Sequence, residues 1–359
     1  MKKVVILALL LMSALYFLPI RSYLLAESEE NSIKEHTVSR VQKSEEPQDK
    51  IEQNSTKSTQ EGENEEQPSQ EETKTTEATP TITVSLNGTV TSMKLEDYVA
   101  GVTAAEMPAS FPLEALKAQA IAARTFAASR QEQKNDDVHP DADVCDDYTH
   151  CAAYLDLDKD GQKQWGSRAD EWRAKVEQAV QETSGEIVTY QGEPITAVFH
   201  AACGDETESA EDVWGAVVPY LVSVDSSGDD ACPDYTSSET FDAEDFRQRM
   251  LTSYPKINLT GRPDSWFTKW KRTEAGNVLW CKVGGVKAKG TTLRQILGLR
   301  STNFTVSTTE TSITFETTGY GHAVGMSQYG AKAMAENGSS CEEILTHYYT
   351  NTEITTLDS

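Results

Sequence analysis

Three regimes of hydrophobic and polar positions follow one another along the chain. From Val4 to Ile20 about 17 residues run apolar without a charge, near the lower limit for a bilayer span and beyond the usual signal-peptide core. This predicts a membrane segment over residues 1–26. The reading is a retained single-pass anchor, with cleavage near "LLAES" as the alternative. Lys2 and Lys3 would hold the N-terminus in the cytoplasm and send the rest outside. Residues 27–80 are mostly Glu, Gln, Ser, Thr and Lys, too poor in large apolar side chains to offset ordering entropy, and predict a disordered acidic linker. Periodicity begins at Thr81. "ITVSLNGTVTSMKL" alternates around Asn87-Gly88 and predicts a hairpin. "EDYVAGVTAAEMP" then carries the chain to Pro108. After Pro112, the residues Leu113, Leu116, Ala120, Ala123 and Ala127 recur at helical spacing, predicting an alanine-rich helix that other backbone can approach closely. Hairpin-like runs and helices alternate irregularly over 81–359 without a βαβ repeat. The fold class is therefore α+β, built around that central helix.

Composition narrows the function. The net charge is −25, from 57 acidic and 32 basic residues, and a good part of the excess lies in the linker. Such a chain lacks the basic footprint of a nucleic-acid binder. "HPDADVCDDYTHC" gathers His139, Cys145, His150 and Cys151 within thirteen residues. Thiolate and imidazole together suit tetrahedral zinc, and four protein ligands would make the site structural. The adjacent His150 and Cys151 demand a bent backbone, and a Cys145 to Cys151 disulfide is the alternative. The other cysteines could pair as Cys203 with Cys232 and Cys281 with Cys341, one of three connectivities. "DLDKDGQKQWGS" starts like a calcium loop but has Ser167 where the bidentate Glu belongs, so it reads as an acidic surface turn.

Glu106 lies between Ala105 and Met107-Pro108, ahead of the alanine-rich helix. One reading is structural: a helix cap, or a partner for Lys117 or Arg124. The other is chemical: apolar neighbours raise a carboxyl pKa, so the acid can hand its proton to a leaving oxygen, as glycoside cleavage requires. Local sequence leaves both open.

"AAEMPASFPLEALKAQAIAARTFAASR" resembles the signature of the stage II sporulation protein D family, also described as the amidase-enhancer family. "FHAACGDETESAEDVWG" and "GYGHAVGMSQYGAKAMAENG" follow in the family's order, with "TTLRQILGLRSTNF" between them, so the resemblance covers nearly all of residues 81–357. It implies a lytic transglycosylase held outside the cytoplasm, in the septal space, during engulfment in sporulation. That activity would cleave the bond between N-acetylmuramic acid and N-acetylglucosamine in peptidoglycan glycan strands to a 1,6-anhydro end. Glu106 alone would act as acid and then base. The resemblance also implies partners, a sporulation amidase or endopeptidase and a membrane scaffold. A non-enzymatic wall-binding enhancer of a partner amidase is the alternative. A cysteine peptidase using Cys203 with His200 or His322 is a third reading, disfavoured because an exported thiolate oxidises readily.

The same resemblance implies His200, Thr207, His322, Ser327, Gln328 and Tyr329 as substrate-binding candidates. Ala201, Ala202, Cys203, Gly204 and Asp205 depart from the family's serines and paired glycines, so roles assigned to those serines do not carry over. His200 equally suits tying two loops together, and Tyr329 equally suits the core. Some relatives are similar in carrying zinc at a His/Cys pattern of this sort, which favours metal over the disulfide. The polar segment from Asp136 to Trp172 could be an arm exchanged within a dimer. Asn337-Gly338 predicts a helix end, and Ser340 with Glu343 predicts the start of another.

Overall fold

The computed structural model describes residues 80–133 and 139–357. The expected anchor over 1–26 and linker over 27–80 thus lie outside the described residues, Pro80 excepted. Among the described residues no helix is long and apolar enough to cross a membrane.

Strands β1 (Thr81–Leu86) and β2 (Thr89–Lys94) form the expected antiparallel hairpin. Asn87 and Gly88 both take positive φ, 48° and 78°, as a tight two-residue turn requires. Helix α1 (Leu95–Glu106) follows directly and ends where Met107 turns into Pro108. Helix α2 (Leu113–Gln133) is the axis of the first lobe. The sequence pattern suggests one apolar face for α2, whereas the structure buries it on nearly every side, with Ala115, Ala118, Ala120, Ile121 and Ala122 all inaccessible. Alanine permits this because it lets neighbouring backbone approach on all sides. The buried Arg124 of α2 pairs with Glu96, at 2.6 and 2.9 Å, and donates to the carbonyls of Glu186 and Val180. Lys117 pairs with Glu114 and Glu182. The structural reading of Glu106 as a partner for either cation is thereby corrected.

Strand β3 (Val144–Cys145) adds to β1 in parallel. Helices α3 (Gly161–Trp165) and α4 (Ala169–Glu182) continue the first lobe, and the segment from His139 to Trp172 contributes Val144, Ala152, Trp165 and Ala169 to the core with α1. Strands β4 (Glu186–Tyr190), β5 (Glu193–Pro194) and β6 (Phe199–His200) and helix α5 (Ala210–Trp214) come next.

A second lobe then interrupts the first. It contains β7 (Thr236–Asp242), α6 (Ala243–Ser253), β8 (Phe267–Arg272), β9 (Val278–Val283), β10 (Val286–Lys289), α7 (Gly290–Leu297), β11 (Phe304–Thr308) and β12 (Ser312–Thr318). Two antiparallel sheets, ordered β10-β9-β8 and β11-β12-β7, enclose an aromatic core of Phe246, Trp266, Phe304 and Phe315. The chain returns through β13 (Met326–Ser327), which pairs with β6 in parallel, then α8 (Gln328–Glu336), α9 (Cys341–Tyr348) and β14 (Glu353–Thr356), which joins β4. The capping box of Ser340 and Glu343 forms as expected. Mixed sheets and helices bear out the α+β class. All six cysteines are free thiols. Cys281 lies in the second lobe's core and Cys341 packs against the first, so their suggested pairing is corrected by topology.

Candidate active site

Glu106 is the last residue of α1, not the opening of α2. The Met107 N–H closes the helix on the Thr103 carbonyl at 3.1 Å, and the Met107 side chain is buried with Phe111, Ala115 and Leu116. This anchor aims the half-buried carboxyl of Glu106 at two other segments. The Ala153 N–H donates to Glu106 Oε1 at 2.6 Å, and the Gln328 side chain also hydrogen-bonds the carboxyl. Gln328 lies 3.4 Å from Gln119 Oε1 of α2, so α1, α2, α8 and the loop after Cys151 converge here. Burial holds the Glu106 carboxyl above the usual carboxylate range, and the two hydrogen bonds offset part of that rise. The negative end of α1 acts in the same direction as burial.

Loop 151–155 reaches Glu106 because α1 has a glycine. The Leu155 N–H donates to the Gly101 carbonyl at 3.1 Å, and a Cβ on Gly101 would stand 2.3 Å from the Tyr154 ring. Two residues before Ala153 is Cys151, one of the four suspected ligands. A ring nitrogen or sulfur of His139, Cys145, His150 and Cys151 all lie within 4.8 Å of one another. His139 Nε2 is 3.4 Å from Cys151 Sγ, and His150 Nδ1 is 3.1 Å from Cys151 Sγ and 3.6 Å from Cys145 Sγ. Zinc bonds of about 2.0–2.3 Å in a tetrahedron set ligand atoms roughly 3.3–3.8 Å apart, so the four residues fit that ion. His139 Nδ1 meets the Ala142 carbonyl at 2.8 Å, the second contact that orients a ligating imidazole. The bend demanded by His150-Cys151 is present, since both N–H groups converge on the Asp147 carbonyl. A hydrogen bond from Cys151 holds the Cys145 thiol well below its ordinary value. The Arg130 guanidinium lies 3.3 Å from His150 Nε2.

The remaining candidates separate by burial. His200 is buried; its Nδ1 meets the Val324 carbonyl at 3.2 Å, and burial followed by the nearby His322 keeps its pKa well below the ordinary value. His322 is pushed down to about 4 by burial and Arg294, with its ring 5.6 Å from His200 and 5.5 Å from Trp214. Thr207 is inaccessible and accepts from the Val224 N–H at 2.9 Å. Ser327 caps α8 and donates to Asp229 Oδ1 at 2.6 Å. His200, Thr207 and Ser327 therefore organise the interior. Gln328 meets Glu106, and Tyr329 is partly exposed, edge-on to Phe111 at 5.0 Å. Cys203 is buried, and desolvation with the Asp229 charge pushes its thiol up, opposite to an activated nucleophile. Sequence reasoning missed Gln119, a polar residue inside the apolar run of α2 that was its own signal. It also missed Ala153, whose contribution is a backbone N–H without any side-chain signature.

Residues 85–190, which include Glu106 and all four suspected ligands, match the family described as Stage II sporulation protein. The chain is 38% identical to Stage II sporulation protein D of Bacillus amyloliquefaciens over 76% of this chain and 77% of that protein. It is 37% identical to Stage II sporulation protein D of Bacillus subtilis, over 76% and 78%. It is also 29% identical to the amidase enhancer of Bacillus subtilis, over 71% of this chain and 40% of that protein.

Proposed function

The chain belongs to the stage II sporulation protein D family, and we propose that its folded domain is a peptidoglycan lytic transglycosylase in which Glu106 is acid and then base. The carrying observation is a half-buried carboxyl whose hydrogen-bond partners are neutral amides, while Lys117 and Arg124, the cations that could have paired with it, pair with other acids. Such a group keeps a proton that a cation would otherwise expel. Protonated Glu106 gives that proton to the glycosidic oxygen as the bond to muramyl C1 breaks and its electron pair leaves on oxygen. The substrate's N-acetyl oxygen stabilises the oxocarbenium-like centre. The muramyl C6 hydroxyl then bonds to C1 and yields its proton to the Glu106 carboxylate. The acid is regenerated, no water is consumed, and a 1,6-anhydro ring results. Ala153 and Gln328 steady the carboxylate between the two transfers. Zinc on His139, Cys145, His150 and Cys151 would supply a cross-link for the loop and no activated water, since four protein ligands fill its sphere.

On the same premise we place the domain outside the cytoplasm, on septal wall strands, beside an amidase and a membrane scaffold. Glu106→Gln should retain glycan binding and lose on the order of a hundredfold or more of cleavage. Mass spectrometry of wild-type products from peptide-free strands should show ends one water lighter than hydrolysed ends. Equal anhydro product from Glu106→Gln would overturn the assignment. The similarity to a protein called an amidase enhancer supports a second reading, favoured if neither protein cleaves strands while both accelerate an added wall amidase.

A further inference from the structure

The outer face of the β10-β9-β8 sheet is cationic in a strongly acidic chain. Residues 265–300 hold eight Lys or Arg against one acid, Glu274, while the whole chain carries −25. Strand register sorts these charges. Cys281 and Val283 of β9 point into the core, so Trp280 and Lys282 point out. Lys271 of β8 and Lys289 of β10 are the direct partners of Trp280 on either side. Lys282 stands directly opposite Lys287. The Lys287 ammonium lies over the Trp280 ring, 4.6 Å from its centroid. Among the described residues, no acid forms an ion pair with any of these four lysines.

Lysines on edge strands are a common guard against sheet-to-sheet pairing, and β8 and β10 are edges. That does not account for Lys282, which is on the central strand and faces a like charge. A direct cross-strand pair of like charges is destabilising unless an anion bridges it. The sheet is also firmly placed. The β8 to β9 turn is tied to the segment after β6 by Glu208, whose Oε1 accepts from Thr273 and Asn277 at 2.6 Å each.

We propose that this face is a docking surface for a glycan strand whose sugars carry their own carboxylates, the lactyl groups of peptide-free muramyl residues. It rests on the glycan reading of the Glu106 site. The indole offers an apolar plate for a pyranose ring. Ammonium groups stand one strand spacing away on both sides, about 4.8 Å at the backbone. A carboxylate borne on the sugar itself falls within their reach, whereas one at the end of a stem peptide is many bonds from the stacked ring. Lys287 covers the indole in the free protein, and its flexible stem lets it follow a carboxylate when a sugar takes its place.

The test uses the full chain in detergent with Glu106→Gln as background, so that strands are bound without being cut. Binding of fluorescently labelled peptide-free strands is followed by anisotropy at low and high salt. Combining Lys271→Gln, Lys282→Gln, Lys287→Gln and Lys289→Gln should weaken binding about tenfold and flatten its salt dependence. Strands whose carboxylates have been amidated should bind the background protein as weakly as this variant binds untreated strands. The variant's melting temperature should hold or rise, because a like-charge pair is removed; a fall would mark the lysines as structural and overturn the proposal. Unchanged affinity in the variant, or equal binding of amidated strands, overturns it as well. So does a variant that loses binding to phosphatidylglycerol vesicles alone, which would assign the face to a membrane. Strands bound as expected but left uncut by the wild-type chain would sink the transglycosylase reading and leave this one standing.

Discussion

Glu106 illustrates how a side chain can be placed against its own ionisation. Its folded pKa is raised above the unfolded value, chiefly by burial, so the folded state holds the proton more tightly. Stability from this group is therefore complete below the unfolded pKa, about 4.3, and declines as pH rises through the folded value. Glu106→Gln removes that liability. At pH 7 the variant should melt at or above the wild-type temperature, with the gain vanishing below about pH 4. A variant less stable at pH 7 than at pH 4, relative to wild type, would contradict the raised pKa. Gln328 acts in the opposite sense, since its hydrogen bond favours the carboxylate. Gln328→Ala should move the alkaline limb of the pH-rate profile upward, because the acid then keeps its proton to higher pH. A profile that shifts downward, or does not move, would remove Gln328 from the site.

Elements carry the next layer of control. The alanine run of α2 was legible because small residues at helical spacing leave few alternatives. Helix α1 was not recognised, for a physical reason: Tyr98, Val99, Val102 and Thr103 are all buried, so no polar face marks its period, and Gly101 lowers its helix propensity. That glycine is the contact point for loop 151–155, so the feature that hid the helix also serves the site. The suspected metal ligands end at Cys151, two residues before the amide that holds Glu106. Purified protein should contain about one zinc per chain, and a chelator should lower both the melting temperature and the cleavage rate. Metal-free protein with Cys145 bonded to Cys151 by mass spectrometry would end the zinc assignment.

At the scale of the molecule, two lobes with separate cores meet at a buried carboxylate. Glu208 accepts from Thr273 and Asn277, and Asn277 accepts in turn from Thr302 at 2.8 Å. Burial raises the Glu208 pKa against these hydrogen bonds. Glu208→Ala would leave the buried Asn277 amide and the half-buried Thr273 hydroxyl without their acceptor, at a cost of about 2 kcal/mol. Glu208→Gln keeps an acceptor oxygen and should recover most of that loss in denaturant unfolding. An alanine variant as stable as wild type would show that the lobes are joined by other means.

Sequence alone determined the hairpin at Asn87-Gly88, the central alanine helix, the capping box at Ser340, the four suspected ligands and Glu106 as the acid to examine. Each of these depends on neighbours within a few residues, or on one side chain's own chemistry. Tertiary structure alone decided that Ala153 and Gln328 hold Glu106, that Arg124 belongs to Glu96, and that His200, Thr207 and Ser327 are interior. Those outcomes require segments 28 to more than 200 residues apart to meet. Such meetings follow from how buried surfaces close on one another, and local spacing carries no record of them.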